Sequence, residues 1–199
     1  MCFDFHTHRP AEDALVSSPV RPERGLWSLE FHPWRLPESF LPPEEAFYRD
    51  LRQADALGEI GLDRLRGPAL PVQRRFFAVL LEAAGNAGKP VVIHAVRCGF
   101  ELDAALKNFP GRVLIHGFRG GERRLREHLD AGRFVSFAPG AWKKCTAVLA
   151  ERGLRNIGLE SDDGTEDIAA IYAQAERETG IPDWRERCRG NFMQFIGRS

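Results

Sequence analysis

Only four cysteines occur in the 199 residues, at positions 2, 98, 145 and 188, and no two of them form a CxxC pair. That spacing supports neither a zinc ribbon nor a thioredoxin-like redox site, and free thiols in a reducing compartment are the expectation. Long hydrophobic runs are missing too: no stretch approaches the roughly 20 apolar residues that a membrane span needs, and no basic segment leads into an apolar core at the start. A soluble, cytoplasmic protein with no membrane partner is expected. Charge of one sign is equally absent. Lys+Arg number 28 and Asp+Glu number 28, so the global argument for nucleic-acid binding falls away and only a local basic patch would serve. No low-complexity segment and no repeat beyond a strand–helix unit interrupts the chain. At this length one domain covering residues 1–199, as a monomer, is the expected organisation.

What the chain does have is an alternation of strand and helix signals, the mark of a parallel sheet covered by crossover helices. The apolar run Phe3-Asp4-Phe5 opens it, residues 14–17 form a brief second strand, and residues 25–31 alternate at period two as a third. Prolines ahead of an acidic first turn start a helix at residue 44. Strands are then expected at 56–61, 90–94, 112–116, 133–137 and 156–160. Helices are expected at 72–87, 100–109, 121–131, 141–152, 166–179 and 184–196. Eight strand candidates with helices between most of them predict an α/β fold of the (β/α)₈ TIM-type barrel. Such barrels usually run to about 250 residues, so this one is compact, with the helix after strand 1 shortened or missing.

The chemistry-bearing residues follow the strands. His6 and His8 are two apart, so on a strand they share one face, and half a metal site results. Glu59, His94, His116 and Asp162 each fall at or just past the C-terminal end of a predicted strand, the rim where barrels of this kind build active sites. Imidazole with carboxylate is a donor set for zinc, manganese, iron or cobalt, and with more carboxylate and water for magnesium. Taken singly, each residue has a plainer role: His94 or His116 as a hydrogen-bonded rim histidine, Glu59 as a loop carboxylate, Asp162 as a helix cap beside Asp163. Four histidines and two carboxylates at strand ends together point to a metal site.

Phe3-Asp4-Phe5-His6-Thr7-His8, Phe31-His32-Pro33-Trp34, Gly58-Glu59-Ile60-Gly61-Leu62-Asp63, Pro90-Val91-Val92-Ile93-His94, His116-Gly117-Phe118-Arg119-Gly120 and Leu159-Glu160-Ser161-Asp162 resemble, in order, the successive motifs of the TatD family of metal-dependent hydrolases. Gln73 and Asn191-Phe192 also fit. The resemblance implies an amidohydrolase-like barrel with two divalent ions (Zn, Mg, Mn or Co). By position, His6, His8 and Asp162 would hold one ion, His94 and His116 the other, and Glu59 would bridge them. Two features depart from the pattern: the segment between His8 and His32 is short, and Arg9-Pro10 replaces the hydrophobic residue and Asp that often follow the HxH pair. Both bear on substrate specificity more than on the metal site.

The function expected is metal-assisted hydrolysis of an ester, most naturally a phosphodiester as in a deoxyribonuclease, with Asp162 orienting the attacking water or taking its proton and Glu59 assisting. A carboxylic ester or amide, including deacylation, is the alternative substrate class, and a non-catalytic metal-binding protein a third reading. His32, Arg97 and Arg119 are candidate substrate contacts, the arginines because guanidinium matches phosphate geometry. Equally, the arginines would serve as solvated loop charges and His32 as a structural rim residue. Trp34 and Trp142 would stack a base or pack a loop, and Glu160 would support a metal ligand from behind. DNA binding then depends on whether Arg97, Arg119, Lys143 and Lys144 gather at one mouth.

Overall fold

The computed structural model describes residues 1–198. Its strands are β1 (Asp4–Thr7), β2 (Ala14–Ser18), β3 (Leu26–Leu29), β4 (Ala56–Asp63), β5 (Val91–Val96), β6 (Val113–Ile115), β7 (Phe134–Phe137) and β8 (Ile157–Leu159). Hydrogen-bonded neighbours follow chain order from β1 to β8 in a single sheet, with parallel pairing. A parallel bridge between Thr7 and Asp162 links the end of β8 back to β1. This is the strand order of a (β/α)₈ barrel. The helices are α1 (Glu45–Gln53), α2 (Leu70–Asn86), α3 (Gly99–Leu106), α4 (Glu122–Asp130), α5 (Thr146–Arg152), α6 (Ile168–Thr179) and α7 (Trp184–Ile196).

The abbreviation takes in the first two crossovers. No helix follows β1, and none follows β2; residues 8–13 and 19–25 make those two crossovers alone. Parallel crossovers usually take a dozen or more residues. Here β1 is only four residues long, so the return retraces about 13 Å, which six extended residues cover with their reach of about 20 Å.

Packing divides the chain into two compact units, one of Met1–Val16, Pro22–Leu26 and the chain from Leu114 onward, the other of Ser17–Arg21 and Trp27–Val113. In the first, the Phe5 ring meets Phe192 of α7 edge-on at 5.2 Å and lies flat against β8 at Gly158, where a Cβ would stand 2.3 Å from the ring. Only glycine permits that approach. Asn191 of α7 donates to the carbonyls of Leu154 (2.7 Å) and Ile157 (2.8 Å), fixing the entry into β8.

In the second unit, Val91, Val92 and Ile93 are fully buried, as a strand covered on both faces requires. Gln73 of α2 holds the loop after β4. Its Oε1 accepts from the Asp63 N–H (2.7 Å), and its Nε2 faces the carbonyls of Asp63 (2.8 Å), Arg66 (2.9 Å) and Pro68 (2.8 Å). Replacing Gln73 by Ala strands these buried backbone groups, and the expected cost is about 3 kcal/mol of unfolding free energy by urea titration. A loss below about 1 kcal/mol would mean that the loop satisfies itself without the amide.

Candidate metal centre

The first unit gathers His6, His8 and Asp162. His6 is fully buried in β1, between Phe5 and Thr7, and its ring meets that of His8 edge-on, with centroids 5.0 Å apart. Asp162 follows β8 with φ 52°, a left-handed conformation that Asp and Asn tolerate better than most residues. Its N–H donates to the His6 carbonyl at 3.0 Å, and its carbonyl accepts from the Thr7 hydroxyl at 3.3 Å. The seam is braced by Asp4, whose carboxylate accepts from the Ser161 N–H (3.1 Å) and the Ser161 hydroxyl (2.6 Å). Burial pushes the Asp4 carboxyl up to about 6, against the Ser161 hydrogen bonds that hold it down.

From Asp162 Oδ1, His6 Nε2 lies 3.6 Å and His8 Nε2 3.8 Å. These distances exceed a hydrogen bond. They approach the edge of a coordination tetrahedron, about 3.4 Å for metal–ligand bonds of about 2.1 Å. One anionic oxygen and two imidazole nitrogens so placed fit a divalent ion. His116, just past β6, lies beside His6 with the rings tilted at 45° and their centroids 4.2 Å apart. Its Nδ1 lies 3.5 Å from Glu160 Oε1. Glu160 in turn accepts from the Gly117 N–H at 2.7 Å and from the Ser136 hydroxyl. Donor atoms of His116, Glu160 and Asp162 come within 4.8 Å of one another.

The second unit gathers His32, Glu59 and His94 within the same span. The Trp34 N–H donates to His32 Nδ1 (3.1 Å), so in the neutral ring the proton sits on Nε2, which points to Glu59 Oε1 at 3.1 Å. His94 Nδ1 is 2.6 Å from that same oxygen, and its Nε2 is 3.1 Å from Asp63 Oδ2. These are hydrogen-bond lengths, so this cluster is drawn in on itself, and an ion seated between Glu59 and His94 must separate them. Burial pushes the Asp63 carboxyl up, but Trp34 Nε1 (2.6 Å), the Leu65 N–H (2.7 Å) and His94 outweigh it, and the group lies below the ordinary aspartate range.

Residues 20–174 match the profile of the family described as TatD related DNase. The chain belongs to that family. A metal-dependent hydrolase TatD of Mycobacterium tuberculosis is 34% identical over 91 residues, which are 42% of this chain and 34% of the relative; the match thus spans about a third of that protein's length. Among solved structures, a TatD homologue from Escherichia coli K12 is 19% identical with a TM-score of 0.75, covering 94% of this chain and 86% of the other. A hydrolase of the TatD family from Entamoeba histolytica is 15% identical with a TM-score of 0.61, covering 74% and 64%. At these identities the solved structures carry the fold, and the profile carries membership.

Against this TatD framework the remaining candidates sort by contact. Arg97 has φ 53°, and its carbonyl accepts from Arg64 Nε at 3.0 Å. Arg119, Lys143 and Lys144 line one depression. Trp142 is fully buried and donates to Glu178 at 3.0 Å, a packing role, whereas Trp34 is 43% exposed with the Arg66 guanidinium 4.5 Å over its ring. The cap of α6 is Asp167, accepting from the Ala169 N–H at 2.7 Å, so Asp162 is left to the cluster. Two roles escaped the sequence reading. Asp63 holds His94 and the loop after β4; the local mark of the loop contact is an Asp two residues ahead of Leu65, an Asx turn. His32 faces Glu59 rather than open solvent.

Proposed function

We propose that this TatD-family chain is a divalent-metal-dependent phosphodiesterase that cleaves DNA. The observation that carries the reading is the triad of His6, His8 and Asp162, whose spacing suits a cation and not a hydrogen-bonded cluster. These three would hold one ion, zinc, manganese, cobalt or magnesium, and Glu59 with His94 a second. Bound there, divalent ions lower the pKa of water and neutralise charge developing on a phosphoryl oxygen.

The chain's own residues do the rest. The side chain of Asp162 is 34% exposed, open enough to accept the proton of an attacking water. Asp63 Oδ2, 3.1 Å from His94 Nε2, orients that ring, the carboxylate-behind-imidazole arrangement that fixes ring direction, and Glu160 sets its charge 3.5 Å from His116 Nδ1. Arg119, three residues past His116, offers a fork of donors to an anionic group of the substrate.

The test is a substrate panel of a single-stranded oligonucleotide, bis(p-nitrophenyl) phosphate, p-nitrophenyl acetate and an N-acetylated amino acid. Each is assayed with EDTA and with each metal. Diester cleavage that drops to the enzyme-free background in EDTA and returns with added metal is the expected result. Acyl release without diester cleavage would move the chain to the acyl hydrolases, and metal binding with no hydrolysis at all would leave a binding protein.

A further inference from the structure

Beside His116 the rim carries a cluster of cations. Arg119, in the loop after β6, and Lys143 and Lys144, after β7, line a depression of about 350 Å³ with Pro139 and Gly140. No carboxylate lines it. On the neighbouring α4 the arginines are paired, Arg123 and Arg124 with Glu127 and Arg126 with Glu151. In the depression, Lys143 reaches Glu178 at 3.0 Å, but among the described residues Arg119 and Lys144 have no ion pair. Both are exposed. Two uncompensated cations over small residues, in a concavity without acids, form a receptor for an anion.

We propose that this depression is a phosphate subsite: Arg119 and Lys144 bind the backbone phosphate of a single-stranded nucleic acid at a nucleotide other than the one being cleaved. The inference rests on the phosphodiesterase reading and deepens it by naming how the strand is held. Three residues of chain separate Arg119 from His116, a reach of at most about 11 Å. At a rise of about 3.4 Å per nucleotide along a stacked strand, the subsite is within about three nucleotides of the His116 cluster. No aromatic ring lines the depression, so it reads the backbone and not the bases.

Binding of fluorescein-labelled decathymidylate, followed by anisotropy in EDTA over a series of salt concentrations, decides the matter without any turnover. The slope of log K against log salt is about −0.7 per phosphate neutralised on a single strand. The Arg119→Ala/Lys144→Ala variant is expected to flatten it by about 1.4 and to weaken low-salt binding by about tenfold. Arg123→Ala, on the exposed face of α4, serves as the control for surface charge at large, with its slope expected to stay within about 0.3 of the parent. An unchanged slope in the double variant, or an equal change in Arg123→Ala, overturns the subsite even if the protein cleaves DNA. A flattened slope in a protein that hydrolyses no diester keeps the subsite and removes the phosphodiesterase reading.

Discussion

Asp162→Asn is expected to lower kcat/KM on a phosphodiester by about 10³-fold or more while leaving the melting temperature within a few degrees of the parent. At φ 52° most substitutions would add strain, but asparagine accepts the left-handed region nearly as well as aspartate. The hydrogen bond from the Asp162 N–H to the His6 carbonyl survives, and with it the seam between β1 and β8. What is lost is the anionic oxygen that stands 3.6 Å from His6 Nε2 and 3.8 Å from His8 Nε2. A neutral amide is a poor ligand for a hard divalent cation and cannot take a proton from water, and general-base assistance alone is worth about 10²–10⁴-fold. Melting curves with and without metal supply the second readout: the parent gains stability on adding metal by preferential binding to the folded state, and the variant gains less. Activity within tenfold of the parent would remove Asp162 from both roles.

Much of the site could be read from the chain because its chemistry sits where apolar runs stop. The run before His116 ends at Ile115 in the structure, and α7 begins and ends where its pattern does, at Trp184 and Ile196. Where the expectations slipped, the cause lies in contacts that sequence periodicity does not carry. Glycines at 58 and 61 suggest that a strand stops near residue 61, yet β4 runs on to Asp63 because Leu62 and Asp63 pair with Ala95 and Val96 of β5. The same pairing carries β5 past His94, placing that histidine inside a strand rather than at its tip. The expected helix over 141–152 starts instead with a 3₁₀ segment over Ala141–Cys145 after left-handed Gly140, and α5 follows. The partnership of Asp63 with His94, 31 positions apart, is not legible in the sequence, because an Asx turn marks Asp63 as a turn former and says nothing of its reach to the next strand.

Those glycines carry the second large effect. Gly61→Ala is expected to cost about 4 kcal/mol, a large share of a total stability that is of the order of 5–15 kcal/mol. Gly61 has φ +147°, and a Cβ there would stand 2.0 Å from the His94 carbonyl oxygen, its partner in register across β4 and β5. Backbone strain in a glycine-only region costs about 1–3 kcal/mol, and forcing a methyl group into a packed contact about as much again. Because the obstruction is the backbone of His94 itself, relief requires moving β5 away from β4, and that breaks the 2.6 Å contact between His94 and Glu59. Gly88→Ala separates the two causes. Gly88 also has a positive φ, +65°, but a Cβ there meets nothing within 4 Å, so it bears the conformational cost alone, about 1 kcal/mol. Urea titrations of both variants give the difference, which bounds the steric contact between the strands from above. If the two variants lose the same amount, the close approach of β4 to β5 at the Glu59 pair is not what the glycine is there to permit.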